Sequence, residues 1–185
     1  LLGWAKELGC NFVRLAHYPH NREMARLADE MGLLLWEEIP VYWTIQWENA
    51  ETLANAKAQL RDLIERDRNR ASVVVWSVAN ETPVTEARTE FLKTLVDDAR
   101  RLDGTRLVSA AMEVHTDPKD PLLKVVSDPF AEYTDLVSFN QYIGWYDGLP
   151  EKCARVRWEI ESDKPVFISE FGGGALQGFH ADAET

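Results

Sequence analysis

The stretch that most constrains this chain is Ser72-Val73-Val74-Val75-Trp76-Ser77-Val78-Ala79-Asn80-Glu81. Three consecutive valines are β-branched and apolar on both sides of any strand they form. That suits a strand buried on both faces, as in a parallel sheet covered by helices. The run stops at Asn80-Glu81, with Pro83 close behind, so a carboxylate arrives at the carboxyl end of a buried strand. α/β barrels keep their chemistry at that end. A second run of the same design, Lys164-Pro165-Val166-Phe167-Ile168-Ser169, also ends on an acid, Glu170, 89 positions after Glu81.

The rest of the chain alternates in the same way. Leu1, Leu2, Ala5 and Leu8 have helical spacing and Gly9 stops that helix; Asn11 to Ala16 reads as a strand. Asn21 caps a helix with the stripe Met24, Leu27, Ala28 and Met31, ended by Gly32. Leu33 to Trp36 is a buried strand closing on Glu37-Glu38, and Val41 to Trp47 is an aromatic loop. A long helix from Asn49 to about Arg68 precedes the central strand, and Thr85 caps the helix that follows it. Arg106 to Ala110 and Asp135 to Phe139 are further strands. Ala111 to Thr134 reads as a long Pro- and Asp-rich connection, helical only around Leu122 to Val126. Pro150 to Ser162 reads as a helix turning Cys153, Val156 and Ile160 inward. Six strands alternating mostly with helices predict a parallel sheet with right-handed crossovers.

The 185 residues are enough for one domain with a real core, and 45% of them are apolar. A net charge of −11 lacks the electrostatic footprint needed for a nucleic-acid backbone or an anionic membrane. Cys10 and Cys153 have no paired spacing and read as small buried hydrophobes without a disulfide. No stretch is long and apolar enough to span a bilayer, and no charged leader opens the chain, which says little about secretion for a sequence that begins in mid-helix; the compartment is open, with the cytoplasm the first expectation. The chain opens as if in mid-helix, which suggests the middle of a larger protein.

Two carboxylates at strand ends are the equipment of glycoside hydrolysis, where one stabilises the developing positive charge and one protonates the leaving oxygen. Val74-Val75-Trp76-Ser77-Val78-Ala79-Asn80-Glu81 and Ile168-Ser169-Glu170-Phe171-Gly172 closely resemble the acid/base and nucleophile motifs of glycoside hydrolase family 2, which holds the β-galactosidases, β-glucuronidases and β-mannosidases. Arg14-Leu15-Ala16-His17-Tyr18-Pro19 and Asn140-Gln141-Tyr142-Ile143-Gly144-Trp145-Tyr146 add to the match, the latter most like the β-glucuronidase branch. Gln141 and Ile143 depart from the basic or aromatic residues common in that branch. The resemblance implies an α/β fold, a partial (β/α)8 TIM barrel holding about strands 2 to 7 of eight. Residues 1–185 would form one catalytic barrel domain lacking its first and last strands and the β-sandwich domains that precede it. An open barrel of this kind exposes two edges, which favours self-association, a homo-oligomer or the missing domains as partners.

The resemblance further implies a retaining β-glycosidase acting on a β-glucuronide or β-galactoside through a covalent glycosyl-enzyme intermediate. Glu81 would be the acid/base and Glu170 the nucleophile, about 5 Å apart and needing no metal or other cofactor. His17, Asn80, Asn140, Tyr142 and Tyr146 would line the sugar site; Arg14 would sit under the nucleophile, and Trp145 would support the loop. The plain structural readings are capped or salt-bridged acids at strand ends, a turn-forming Asn80, a satisfied His17 and a packed Trp145. His17 and His20 lack the spacing and the accompanying ligands of a metal site. Adjacent residues of a strand point to opposite faces, so at most one of Glu37 and Glu38 faces the site, binding a hydroxyl or Arg14. Glu113 follows a strand without motif support. Gly172-Gly173-Gly174 lacks the lysine and spacing of a phosphate loop and reads as a sharp turn below Glu170. The competing expectation is a catalytically silent barrel that at most binds carbohydrate.

Overall fold

The computed structural model describes residues 1–174, 176 and 178. Its frame is a parallel sheet of six strands: β1 (Phe12–Leu15), β2 (Leu34–Glu38), β3 (Val73–Asn80), β4 (Leu107–Met112), β7 (Val137–Asn140) and β9 (Val166–Glu170), hydrogen-bonded in that order. Strand order follows chain order, as in a barrel wall. The sheet curls into a half-barrel. Phe12 on β1 and Phe167 on β9 occupy opposite ends of the strand order, yet their ring centroids are 5.0 Å apart. Trp36, fully buried, stacks on Phe167 from β2, so the inner face is closed by aromatic side chains.

Helices α1 (Leu2–Glu7), α2 (Arg22–Met31), α3 (Ala50–Asp67) and α4 (Glu86–Leu102) supply the outer layer. Asn21, Asn49 and Thr85 cap the last three by accepting from backbone N–H groups of the first turn. Gly32 ends α2 in the left-handed conformation, φ 65°. Leu60, Leu63 and Ile64 of α3 and Phe91, Leu92, Leu95 and Val96 of α4 are buried with Val73, Trp76 and Val78 of β3 in the main core. Each fully buried leucine of this kind contributes about 1.5–3 kcal/mol. Arg88 of α4 is also fully buried; it grips both oxygens of Asp128 at 3.0 Å and donates to the Pro83 carbonyl, fixing the chain that leaves β3. Among the described residues, no helix is long and apolar enough to cross a membrane.

Three expectations need correction. Residues 120–126 are not helical: β5 (His115–Asp117) and β6 (Asp120–Val126) form a hairpin. Residues 150–162 are not one helix: a 3-10 turn, Pro150–Ala154, leads into β8 (Arg157–Ile160), which pairs parallel with β6. The resulting three-stranded sheet sits beside the barrel wall, joined to it where Trp158 stacks on Phe139 of β7. Cys10 and Cys153 are both exposed rather than buried, and neither is in a disulfide.

Candidate active site

The carboxyl ends of β1, β2, β3, β7 and β9 converge on one guanidinium. Arg14 leaves β1 almost fully buried, with its plane over Trp36. Its Nε and Nη2 donate to the two oxygens of Glu38 at 3.0 Å each. Nη2 also donates to Asn80 Oδ1 at 2.8 Å, while Nη1 donates to Glu170 Oε1 at 2.6 Å and to Asn140 Oδ1 at 3.2 Å. Arginine presents five donors in a rigid fork, so it can tie several strand ends at once where lysine cannot.

The sheet register explains the convergence. Asn80 pairs with Ala111, Ala111 with Ser138, and Asn140 with Glu170, so these residues lie at neighbouring strand ends. Asn140 links Glu81 to the guanidinium that holds Glu170. Its Nδ2 donates to Glu81 Oε1 and to Asn80 Oδ1, both at 3.0 Å; its Oδ1 accepts from Arg14 and, at 2.8 Å, from Ser169 Oγ.

Glu81 and Glu170 have different surroundings. Glu170 faces Arg14 and accepts the phenolic hydroxyl of Tyr142 on its second oxygen. Burial pushes the Tyr142 phenol well above its ordinary range, with the hydrogen bond and charge of Glu170 adding to it, so Tyr142 stays a donor. Among the described residues Glu81 is paired with no cation; it accepts from Asn140 and, at 3.4 Å, from the Trp43 indole. Its backbone is left-handed, φ 47°, a conformation that costs a non-glycine residue about 1–3 kcal/mol. The turn is held by Glu81 N–H donating to the Ala111 carbonyl at 2.8 Å. The aromatic loop is bound to the same place: Asn80 N–H donates to Val41 and Trp43 N–H to Asn80, which sets the indole beside Glu81.

The structure thus brings together Arg14, His17, Asn80, Glu81, Asn140, Tyr142 and Glu170. His17 Nδ1 lies 2.8 Å from Glu38 Oε1 and its Nε2 lies 3.7 Å from Glu170 Oε1. Tyr146 is largely exposed, packs edge-on against Tyr142 and lines a cavity of about 450 Å³ with Trp43, Glu81, Glu113 and Lys124. Trp145 is half exposed, and its ring covers the glycines after Glu170: a Cβ on Gly173 would come within 2.9 Å of it. Gly172 makes the turn, at φ 86°; Gly173 and Gly174 make room for the tryptophan.

Glu37 and Glu38 point to opposite faces. Glu38 enters the site; Glu37 is buried on the helix side of β2 against Asp67 of α3. The sequence leaves Glu38 two options and does not mark Trp43, Ser169 or Lys124 as members of the site. The interleaving of Trp43 among aromatics and the serine before Glu170 carry no local mark of their eventual partners. Among the described residues, no group of three or more His, Cys, Asp or Glu side chains is placed to hold a metal ion.

Comparison with known proteins agrees with this geometry. Residues 3–185 match the model of the glycosyl hydrolases family 2 TIM barrel domain. A β-glucuronidase of Paenibacillus borealis is 34% identical over 202 aligned positions, covering 98% of this chain and 32% of that protein. A β-glucuronidase of Streptococcus agalactiae is 32% identical, covering 97% and 33%. Among solved structures, a family 2 β-galacturonidase from Eisenbergiella tayi bound to galacturonate superposes with a TM-score of 0.80 at 28% identity, covering all of this chain and 33% of the other. The chain spans about a third of the length of the curated relatives it matches. With the family model covering nearly every residue and the six-stranded half-barrel in place, the chain belongs to glycoside hydrolase family 2 and is part of its TIM barrel domain.

Proposed function

We propose that the protein containing this chain is a retaining β-glycosidase acting on a terminal β-linked uronic acid, a β-glucuronide or β-galacturonide, with Glu170 as nucleophile and Glu81 as acid/base. The reading rests on one observation: Asn140 donates to the Glu81 carboxylate and accepts from the Arg14 guanidinium that holds Glu170, and among the described residues only Glu170 of the two acids is paired with a cation. Retaining hydrolysis needs that asymmetry. The Arg14 guanidinium gives Glu170 the counter-charge of an ionised nucleophile, and Tyr142 orients its second oxygen. Glu81, held by an amide N–H and an indole N–H, is placed to give a proton to the leaving oxygen and later take one from water. Attack by Glu170 on the ring carbon breaks the glycosidic bond and forms a glycosyl ester; water, deprotonated by Glu81, then releases the sugar with its configuration retained.

The choice of uronic acid follows the similar proteins, a β-glucuronidase and a β-galacturonidase. The sugar-binding roles of His17, Asn80, Asn140, Tyr142 and Tyr146 and the supporting roles of Arg14 and Trp145 are part of the same proposal.

The experiment compares the intact wild-type protein with Glu170→Gln and Glu81→Gln on aryl β-glucuronides, β-galacturonides and β-galactosides. Glu170→Gln is expected to lose about three orders of magnitude or more in kcat on every substrate. Glu81→Gln is expected to keep glycosylation of substrates with very good leaving groups and to stall at hydrolysis of the ester. Near-normal turnover by Glu170→Gln excludes the assignment; sugar affinity without turnover in the wild type identifies a binding-only barrel.

A further inference from the structure

Glu38 is almost fully buried and has no room left for a proton. Its Oε2 accepts from Arg14 Nε at 3.0 Å and from Trp36 Nε1 at 2.8 Å. Its Oε1 accepts from Arg14 Nη2 at 3.0 Å and lies 2.8 Å from His17 Nδ1. Guanidinium and indole groups only donate, and the guanidinium is permanently charged. The carboxylate is therefore an acceptor throughout, and His17 Nδ1 must carry a hydrogen toward it. The other ring nitrogen, Nε2, lies 3.7 Å from Glu170 Oε1, too far for a direct hydrogen bond and near enough for a charge to be felt.

We propose that Glu38 is a positioning residue that keeps His17 an imidazolium and aims its Nε2–H into the space beside Glu170, where it donates to a sugar hydroxyl. The inference rests on the carbohydrate reading of the site. It gives Glu38 a function beyond holding Arg14: one carboxylate fixes the tautomer of the histidine and the plane of the arginine together.

Among the described residues, the charged groups facing the imidazole are Glu38 from β2, Arg14 from β1 and Glu170 from β9, and the titratable phenol of Tyr42 packs against it with ring centroids 5.6 Å apart. Their balance favours the cation. The hydrogen bond to Glu38 raises the His17 pKa above 6.5; burial opposes it; the charge of Glu38 raises it, that of Arg14 lowers it and that of Glu170 raises it again. Below the shifted pKa, Nε2–H is present. As pH rises through it, the site loses both a donor and a positive charge beside Glu170.

Two measurements on the full-length protein test this. The first follows the His17 imidazole of the wild type by nitrogen NMR across pH. The expected result is titration above 6.5, with Nδ1 protonated on both sides of the transition. The second compares the pH dependence of kcat/KM on an aryl β-glucuronide between wild type and Glu38→Gln. The basic limb is expected to move to lower pH in the variant, with KM rising more than kcat falls. Titration of wild-type His17 at or below 6.5, or a neutral form protonated at Nε2, overturns the proposal. So does a Glu38→Gln variant that loses activity equally at every pH, since that is what a merely structural role produces. If Glu38→Gln does not fold, the wild-type titration decides alone. If the wild type turns over no glycoside, the functional reading fails, while the titration still tests the Glu38–His17 pairing.

Discussion

At the scale of residues, the site is a hydrogen-bond network in which each side chain has a counted job. Glu170 has two oxygens and two donors, Arg14 and Tyr142. Removing the phenol leaves one carboxylate oxygen without its partner but creates only a small void. Tyr142→Phe is therefore expected to lower kcat/KM by about 10²-fold while leaving the thermal midpoint nearly unchanged. Steady-state kinetics alongside a melting curve checks both halves; a large drop in midpoint with unchanged kinetics contradicts the assigned role. Much of this network is legible as residue types: Glu81, Glu170, Asn140 and Arg14 stand in recognisable runs. What the runs do not contain is distance. Arg14 reaches partners 24, 66, 126 and 156 positions away, and nothing local to Glu38 or Ser169 announces that those partners exist.

At the scale of elements, β2 shows how one strand serves two faces. Glu38 enters the site, and Glu37, one residue earlier, is buried against Asp67 on the helix side. Burial pushes the Glu37 carboxyl up to about 8, with the nearby Asp67 charge adding to it and Arg66 opposing. Among the described residues Glu37 Oε2 and Asp67 Oδ1 are both buried with no hydrogen-bond partner, so a proton held between the two carboxyls relieves their repulsion. A carboxyl whose folded pKa is raised binds its proton more tightly when folded. Its contribution is thus fully present below about 4.5 and declines as pH rises toward about 8. Glu37→Gln keeps a donor toward Asp67 at every pH. It is expected to match wild type near pH 5 and to unfold at a higher temperature than wild type at pH 8.5. Equal losses at both pH values contradict the shared proton. The elements the sequence concealed are those of the small sheet. Val156, Trp158 and Ile160 alternate as a strand should, but Cys153, Val156 and Ile160 also fit a helical period, and the partner that decides between them, β6, lies more than thirty positions back. Strand pairing settled what local spacing left ambiguous. The exposure of Cys153 has the same origin: it sits on the 3-10 turn that replaces the expected helix.

At the scale of the whole molecule, six parallel strands curl until β1 and β9 meet through Phe12 and Phe167 inside and through Arg14 and Glu170 at the carboxyl end. The curl, not any single element, assembles the site: a flat sheet with the same register would leave Arg14 five strands from Glu170. That is why the six alternating strand and helix patterns, readable in the sequence, already imply where the acids gather, while the hydrogen bonds among them depend on the curl, which no local pattern encodes. On the proposed reading, Glu170 becomes covalently linked to the sugar. Incubating the full-length protein with a 2-deoxy-2-fluoro β-glucuronide bearing a good leaving group, then mapping the adduct by peptide mass spectrometry, detects that bond. One sugar per protein molecule, attached at Glu170, is expected. A label on Glu81 or another residue, or release of an inverted product with no adduct from an enzyme that consumes the substrate, contradicts it.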